Sequence, residues 1–140
     1  MKFLIFQLFH AWRRRDGSII FDLKRHLRGE YGMRIKWSCT LSYDDKEGFR
    51  CGLCYDFPVF DFLERRQLKL REFPLIVMEG SFTTYQNIEP FEMENKINYL
   101  ISKVKQYNGN FVYLWHNSSF RVGKWKQYDK VYSKTLFKKF

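Results

Sequence analysis

The sequence predicts an α/β fold built around a β–α–β unit, and three observations support this prediction. Two short apolar runs, residues 75–78 and 111–115, each end at a polar residue, Glu79 and His116. The clearest helical pattern of the chain lies between them, with apolar residues three and four positions apart. Continuous apolar runs are typical of parallel strands that are buried on both faces, and a crossover helix joins such strands.

The helix of this unit has recognisable ends. It begins at Asn87 or Glu89, because Pro90 suits the first turn of a helix. The pair Asn108-Gly109 is expected to end it in a left-handed cap. Four apolar residues predict its buried face, namely Ile97, Leu100, Ile101 and Val104.

The rest of the chain is less regular. Residues 33–42 alternate sufficiently for a strand, and residues 43–55 are expected to form a loop. Residues 59–66 predict a short helix, and residues 124–139 predict a terminal helix with an aromatic face.

The first 31 residues are the hardest to assign, and residues 32–140 are expected to form the main region. An apolar run at residues 3–9 reads as a strand, a short helix or a segment foreign to the domain. Three arginines follow it instead of a small-residue cleavage site, and it is too short to cross a bilayer. We therefore expect no membrane span.

Composition and cysteine content limit the class of protein. A chain of 140 residues fits one domain, and 45% hydrophobic residues can supply its core. The formal charge of +10 favours polyanions as partners. Three cysteines exclude a fully paired disulfide framework, and the lone C-x-x-C of Cys51 and Cys54 supplies only two of the four ligands of a structural zinc site. Free thiols in a reducing compartment, the cytoplasm, are expected.

Glu79 and His116 are the first residues to consider for chemistry. The carboxyl ends of parallel strands meet at one edge of a sheet, where catalytic groups of α/β folds lie. A carboxylate beside a histidine orients the imidazole ring and stabilises its charged form. Arg50 lies in a glycine-bearing loop that could reach the same edge. The alternative is structural: Glu79 caps a turn, His116 bonds a neighbour and Arg50 pairs with a surface acid.

Four segments occur in a characteristic order and spacing: residues 48–54 (Gly-Phe-Arg-Cys-Gly-Leu-Cys), 57–61, 74–80 and 114–118, the last with the sequence Leu-Trp-His-Asn-Ser. Their order and spacing together resemble the carboxyl-terminal part of bacterial polysaccharide deacetylase-like proteins. The resemblance runs from about Gly32 to the end of the chain. It implies a partial, distorted (β/α) barrel, the last βα units of a larger one. It also implies an enzyme that hydrolyses N- or O-acetyl groups on carbohydrate with the help of a bound divalent metal ion such as zinc.

The resemblance also assigns roles to two of the three residues that we expect in the catalytic set. His116 matches the histidine that protonates the leaving amine. Glu79 matches a position where relatives carry an acidic residue, and it would support His116. Arg50 belongs to the Gly-Phe-Arg-Cys-Gly element and completes the catalytic set that we expect.

The chain departs from the family in its metal-binding residues. Relatives have an aspartate pair after the first strand and a helix with paired histidines, and the surroundings of His10 and His26 match neither. Asp44-Asp45 comes too late, and Ser38 stands where relatives tend to have aspartate. We therefore expect a fragment without a metal site of its own. It would be inactive alone, or completed on a carbohydrate substrate by self-association or by a missing amino-terminal half.

A second hypothesis belongs to another class. Arg13-Arg14-Arg15 and the basic residues of 124–139 could make the chain a small binding module for a polyanion such as nucleic acid. Steep salt dependence of binding would favour it. A structural protein without activity is the third option.

Overall fold

The computed structural model describes residues 2–8, 37–39, 41–120 and 123–137. These residues form a mixed α/β structure, which confirms the predicted class at that level. The strands are β1 (Lys2–Leu8), β2 (Trp37–Ser38), β3 (Phe57–Asp61), β4 (Arg66–Glu72), β5 (Val77–Met78) and β6 (Asn110–His116), and the α-helices are α1 (Pro90–Gln106) and α2 (Tyr128–Phe137). A π-helical segment (Ser81–Gln86) and two single 3₁₀ turns (Asn117–Ser119 and Gly123–Trp125) complete the described part.

The main sheet has three parallel strands in the order β1-β6-β5. Its centre, β6, is buried from Asn110 to Trp115, as its continuous apolar run predicts. The register pairs Leu8 with His116 on one side and Met78 with Leu114 on the other. The carboxyl ends of all three strands therefore lie at the same edge of the sheet.

The second sheet has the order β2-β4-β3. Strands β3 and β4 form an antiparallel hairpin with an irregularity between Pro58 and Phe60, and β2 pairs with β4 in parallel. The chain leaves β4 through Phe73 and Pro74 and enters the main sheet. There the Ile76 amide donates to the Val112 carbonyl over 3.1 Å, just ahead of β5.

Apolar side chains cover both faces of the main sheet. On one face the two helices pack against Phe111, Tyr113 and Trp115 of β6, and the core includes the helical residues Met93, Ile97, Ile101, Val104, Val131 and Tyr132. On the other face Val112 and Leu114 form a smaller cluster with Leu75, which Cys39, Phe73 and Met78 adjoin. The alternation along β6 thus supplies two cores from one strand.

The predicted helix between the two apolar runs is confirmed as α1, with Glu89 at its amino cap. All four residues of the predicted apolar face are buried. The left-handed residue at its end is Asn108, with φ of 51°, and not the glycine that follows it. Gly109 is needed for a different reason, because a Cβ there would overlap the carbonyl oxygen and the sulfur of Cys54.

The predicted helix over residues 59–66 is wrong, because these residues belong to the β3–β4 hairpin. The Asp61 carboxylate accepts the backbone N–H groups of Leu63 and Glu64 and so holds a turn. Arg65 closes that turn in the left-handed region, at φ of 48°. The terminal helix begins later than predicted, at Tyr128, and residues 138 and 139 lie outside the described ranges.

The amino-terminal run forms a strand, one of the alternatives that its sequence left open. Strand β1 pairs with β6 along its whole length, so it belongs to the main sheet. The expected boundary between residues 31 and 32 lies outside the described residues and stays a prediction. Of the strand expected over residues 33–42, Trp37–Ser38 forms a strand, whereas the described residues Cys39, Leu41 and Ser42 do not. Among the described residues, no helix combines the length and apolar character that crossing a membrane requires.

Candidate functional site

The site lies where β5 and β6 end side by side. Glu79 directly follows β5, and His116 is the last residue of β6. Because Met78 pairs with Leu114, the chain delivers both side chains to the carboxyl edge of the sheet. This is the juxtaposition that the two apolar runs predict.

One oxygen of Glu79 holds the site together. Its Oε1 atom lies 2.6 Å from Nδ1 of His116 and accepts the His116 backbone N–H over 2.8 Å. The hydroxyl of Ser119 donates to the same oxygen over 2.9 Å. Glu79 therefore fixes the backbone and the ring of His116 at the same time.

The carboxylate is buried and the imidazole is reachable. Glu79 is 1% exposed, whereas the side chain of His116 is 29% exposed. Burial in a region of low dielectric strengthens the attraction between the two groups. Solvent or a substrate can reach the histidine without reaching its carboxylate partner.

Three buried polar atoms of Glu79 and of β6 have no hydrogen-bond partner in the described part of the chain. They are Oε2 of Glu79, the hydroxyl of Tyr113 and Nε1 of Trp115. Burial, with a further contribution from the charge of Glu79, raises the pKa of Tyr113 well above its usual value. The Tyr113 hydroxyl thus stays protonated and takes no part as a base.

The arrangement is suited to proton transfer. With Glu79 ionised, its hydrogen bond to the ring requires the proton on Nδ1 of His116. Nε2, the nitrogen that Glu79 does not engage, is then the atom that can exchange a proton with a reacting group. A buried carboxylate that selects the tautomer of a reachable histidine is the orienting element of acid–base catalysis.

Arg50 takes a different position from the one that we expected. It is exposed, and its Nη1 donates to the carbonyl of Ser42 over 2.5 Å. In the described structure no hydrogen bond or ion pair joins it to Glu79 or His116. The structure therefore brings together two of the three residues of the expected catalytic set, Glu79 and His116, and places Arg50 elsewhere.

The three cysteines are free thiols. Burial, with a smaller contribution from Glu72, raises the pKa of Cys39 to about 12. Burial also raises the pKa values of Cys51 and Cys54. Since a thiolate is needed for nucleophilic attack and for metal binding, these residues behave as ordinary thiols.

The described residues do not fit the divalent metal that the resemblance implies. Within the described ranges, no three histidine, cysteine, aspartate or glutamate side chains come together as a metal-binding group. Glu79 and His116 are only two such groups, and Oε1 of Glu79 already accepts from three donors. His10 and His26 lie outside the described residues. No catalytic step is therefore derived through a metal.

Ser119 is a member of the site that the sequence did not predict. The single 3₁₀ turn after β6 returns the chain and buries Ser119, which is 3% exposed, beside Glu79. The available signal was the small polar sequence Asn117-Ser118-Ser119 directly after a strand end. It indicates a tight turn but does not tell which hydroxyl points inward.

A separate cavity of about 390 Å³ lies at the other end of β6. Asn110, the first residue of β6, lies beside this cavity, because its amide donates to the carbonyl of Cys54 in the cavity wall. Most of its lining is aromatic or apolar, with one cation: Phe49, Leu53, Tyr55, Tyr99, Lys103 and Tyr107. The length of β6 puts it about 20 Å from His116, so it is not part of the Glu79–His116 site.

Comparison of the chain with protein-family models, with curated proteins and with solved structures found no match.

Proposed function

We propose that the chain is the carboxyl-terminal part of a polysaccharide deacetylase-like hydrolase, in which His116 is the general acid and Glu79 is its positioning partner. The observation that carries the proposal is the bond of 2.6 Å between a fully buried carboxylate and a reachable histidine at the carboxyl edge of a parallel sheet. The Leu-Trp-His-Asn-Ser sequence around His116 resembles the last histidine motif of the deacetylase-like family, and this resemblance supports hydrolysis of an acetyl group as the reaction.

His116 would protonate the departing atom when an acetyl group is cleaved from carbohydrate. An amine is a poor leaving group until it receives a proton, so an acid positioned beside it lowers the barrier. In the tautomer that Glu79 selects, Nε2 is the ring nitrogen that would exchange the proton with the substrate. Glu79 would stabilise the ring in its charged form before the transfer and hold it in place afterwards.

We also propose that the chain folds as part of a larger, distorted (β/α) barrel. The unit formed by β5, α1 and β6, in a sheet with apolar clusters on both faces, is compatible with one βα repeat of a distorted barrel. In a complete barrel, further strands would continue the sheet at its edges. The metal ligands would come from those missing elements, or from a second copy of the chain.

The proposal is tested by NMR titration and acetate release with the same protein. The chain, with His116 ring nitrogens observed, is titrated with an N-acetylglucosamine oligomer and with a glucose oligomer of equal length. The acetylated sugar is expected to shift the His116 ring resonances, and the glucose oligomer is not. Acetate release is then measured for the chain alone and for His116→Ala.

Each outcome has a defined meaning. Acetate release that His116→Ala abolishes would support the proposed acid and show that the missing groups are supplied. Selective binding at His116 without acetate release would support the fragment. Absence of both selective binding and acetate release would contradict the proposal.

The alternative, a basic module for nucleic acid, has the net charge of +10 as its support. Its arginine cluster lies outside the described residues. In the carboxyl-terminal helix Tyr132 contributes to the core, since it is 6% exposed and its ring lies 4.9 Å from that of Trp115, and Phe137 is the one strongly exposed ring among the described residues of that helix. Bases need exposed rings on which to stack, so this observation does not favour the alternative.

A further inference from the structure

The β3–β4 hairpin ends in an apolar tip that is open to solvent. We define the hairpin tip as Phe60, Phe62 and Leu63, which are 48%, 84% and 77% exposed. Exposed apolar side chains that stand singly are common on protein surfaces, but a contiguous group of them marks an interaction site. Among the residues whose burial is described, the other strongly exposed phenylalanines are Phe91 and Phe137, which belong to the two α-helices.

The tip is held in a defined shape. Asp61 is buried beneath it and accepts the amides of Leu63 and Glu64 over 2.9 and 3.2 Å. The rings of Phe60 and Phe62 meet edge to face, with centroids 5.4 Å apart. A group that is ordered before it binds loses less conformational entropy on binding, so the turn is prepared to present these side chains.

Cations stand directly behind the apolar tip. Arg65, Arg66 and Lys69 are exposed, and none has a carboxylate partner among the described residues. The only exposed acid of the turn is Glu64, so the exposed charges of this segment sum to about +2. Arg71, further along β4, is by contrast paired with Asp56.

We propose that the hairpin tip inserts into the interfacial layer of an anionic lipid surface, with Arg65, Arg66 and Lys69 on the headgroup phosphates. An apolar wedge backed by cations is the combination that binds such surfaces, since burial of apolar side chains and electrostatic attraction act together. The hairpin lies on the membrane and does not span it.

The geometry favours a lipid surface over two other occupants. Single-stranded nucleic acid stacks successive bases on a series of aromatic faces, whereas the tip has one strongly exposed ring, Phe62, beside the half-exposed Phe60, and Leu63 has no aromatic face. A second copy of the chain would bring the same cations against one another, which costs free energy at an interface. Neither objection applies to an anionic bilayer.

Vesicle binding of the full chain tests the proposal. The probes are phosphatidylcholine vesicles with and without phosphatidylglycerol, and binding is measured by flotation. The double variant Phe62→Ser, Leu63→Ser is expected to lower partitioning onto the anionic vesicles by about tenfold or more. Phe91→Ser, which removes an equally exposed ring (76%) on α1, is the matched control and should leave binding unchanged.

Charge variants separate the two contributions. Arg66→Gln with Lys69→Gln should lower binding by about tenfold or more at low salt, since each cation near an anionic surface contributes to attraction. Lys126→Gln with Lys130→Gln removes the same charge from another surface and should change binding by less than about threefold. The altered side chains are exposed, and thermal melting checks that each variant folds.

Insertion depth provides a second measurement. Phe62→Trp should gain fluorescence quenching by brominated lipids relative to the parent chain, and Phe91→Trp should not. The proposal is overturned if the chain ignores anionic vesicles or if it binds neutral and anionic vesicles equally. Equal binding by the tip variant and the parent chain would also overturn it, as would a tip variant that loses single-stranded oligonucleotide binding while it keeps vesicle binding.

Discussion

The two carboxylate oxygens of Glu79 have different surroundings. Oε1 accepts from the His116 amide, the His116 ring and the Ser119 hydroxyl, whereas Oε2 is buried without a partner in the described structure. Rotation of the carboxylate would break three hydrogen bonds together. The orientation of His116 is therefore held by one atom, and the buried, unpartnered oxygen is the free-energy cost of that arrangement.

Ser119 is expected to contribute to stability through that atom. Ser119→Ala removes one of three donors to Oε1, and we expect a loss of about 1 kcal/mol in the free energy of unfolding. Urea denaturation measures the loss. Ser102→Ala is the matched control, because its hydroxyl makes a local bond to the Tyr99 carbonyl on an exposed helix face, and it should cost less than about 0.5 kcal/mol. Equal losses in the two variants would contradict the proposed role of Ser119.

At the scale of elements, the close approach of Gly109 to Cys54 fixes the connection between α1 and β6. The Asn110 amide bonds the Cys54 carbonyl there, and an added Cβ at Gly109 would overlap that same carbonyl oxygen. Backbone cannot move away as the end of a flexible side chain can. We therefore expect Gly109→Ala to destabilise the fold by about 1–3 kcal/mol.

Gly80→Ala is the comparison for that measurement. Gly80 has an ordinary helical φ of −60°, and an added Cβ would meet only the flexible end of Met78, 4.0 Å away, among the described residues. The substitution should be neutral or stabilising by up to about 1 kcal/mol. Thermal or urea unfolding measures the change in stability of each variant. If Gly109→Ala leaves the free energy of unfolding unchanged, the α1–β6 connection has room for a Cβ and the account is wrong at this point.

Another link between elements depends on pH. Glu47 bonds Lys96 of α1 and Gln86 of the π-helical segment, over 2.9 and 2.6 Å. Partial burial acts to raise the pKa of Glu47, but the hydrogen bonds from Gln86 and Lys96 outweigh it, so the pKa lies below its usual value. Because the pKa of Glu47 is lower in the folded state than in the unfolded state, its ionised form stabilises the fold at any pH above the unfolded-state pKa. This stabilisation is lost as the pH falls through the folded-state pKa of Glu47.

Glu47→Gln tests this link. Because Lys96 is partly exposed, we expect a modest loss of about 1 kcal/mol in the free energy of unfolding at neutral pH. The difference between the variant and the parent chain should shrink as the pH is lowered below about 4. Urea unfolding over a pH series measures it, and a difference that is constant with pH would contradict the electrostatic explanation.

At the scale of the whole molecule, the elements that sequence predicts are those with a local signal. The buried run at residues 111–115, the face of α1 and the polar residues that end two strands all follow from periodicity. Since the two strands are parallel neighbours joined by one helix, the proximity of Glu79 and His116 follows as well. That inference needs no knowledge of the rest of the fold.

The features that sequence did not predict depend on contacts that periodicity does not record. The pattern at residues 59–66 suits a helix face equally well, and the side-chain bonds of Asp61 decide for a turn. The pairing of β1 with β6 joins residues more than a hundred positions apart. Arg50 lies in an irregular loop, where the direction of a long side chain has no sequence signal, and it bonds Ser42 instead of the site.

The central claim is that Glu79 holds the His116 ring in one tautomer, and NMR of the ring nitrogens of His116 tests it most directly. We predict a strongly downfield Nδ1 proton in the parent chain, and in the neutral form of the ring the nitrogen shifts of the Nδ1-protonated tautomer. Glu79→Gln should remove the downfield proton and let the two tautomers mix. Ring nitrogen shifts that are the same in the parent and in Glu79→Gln would contradict the claim, and with it the role proposed for His116.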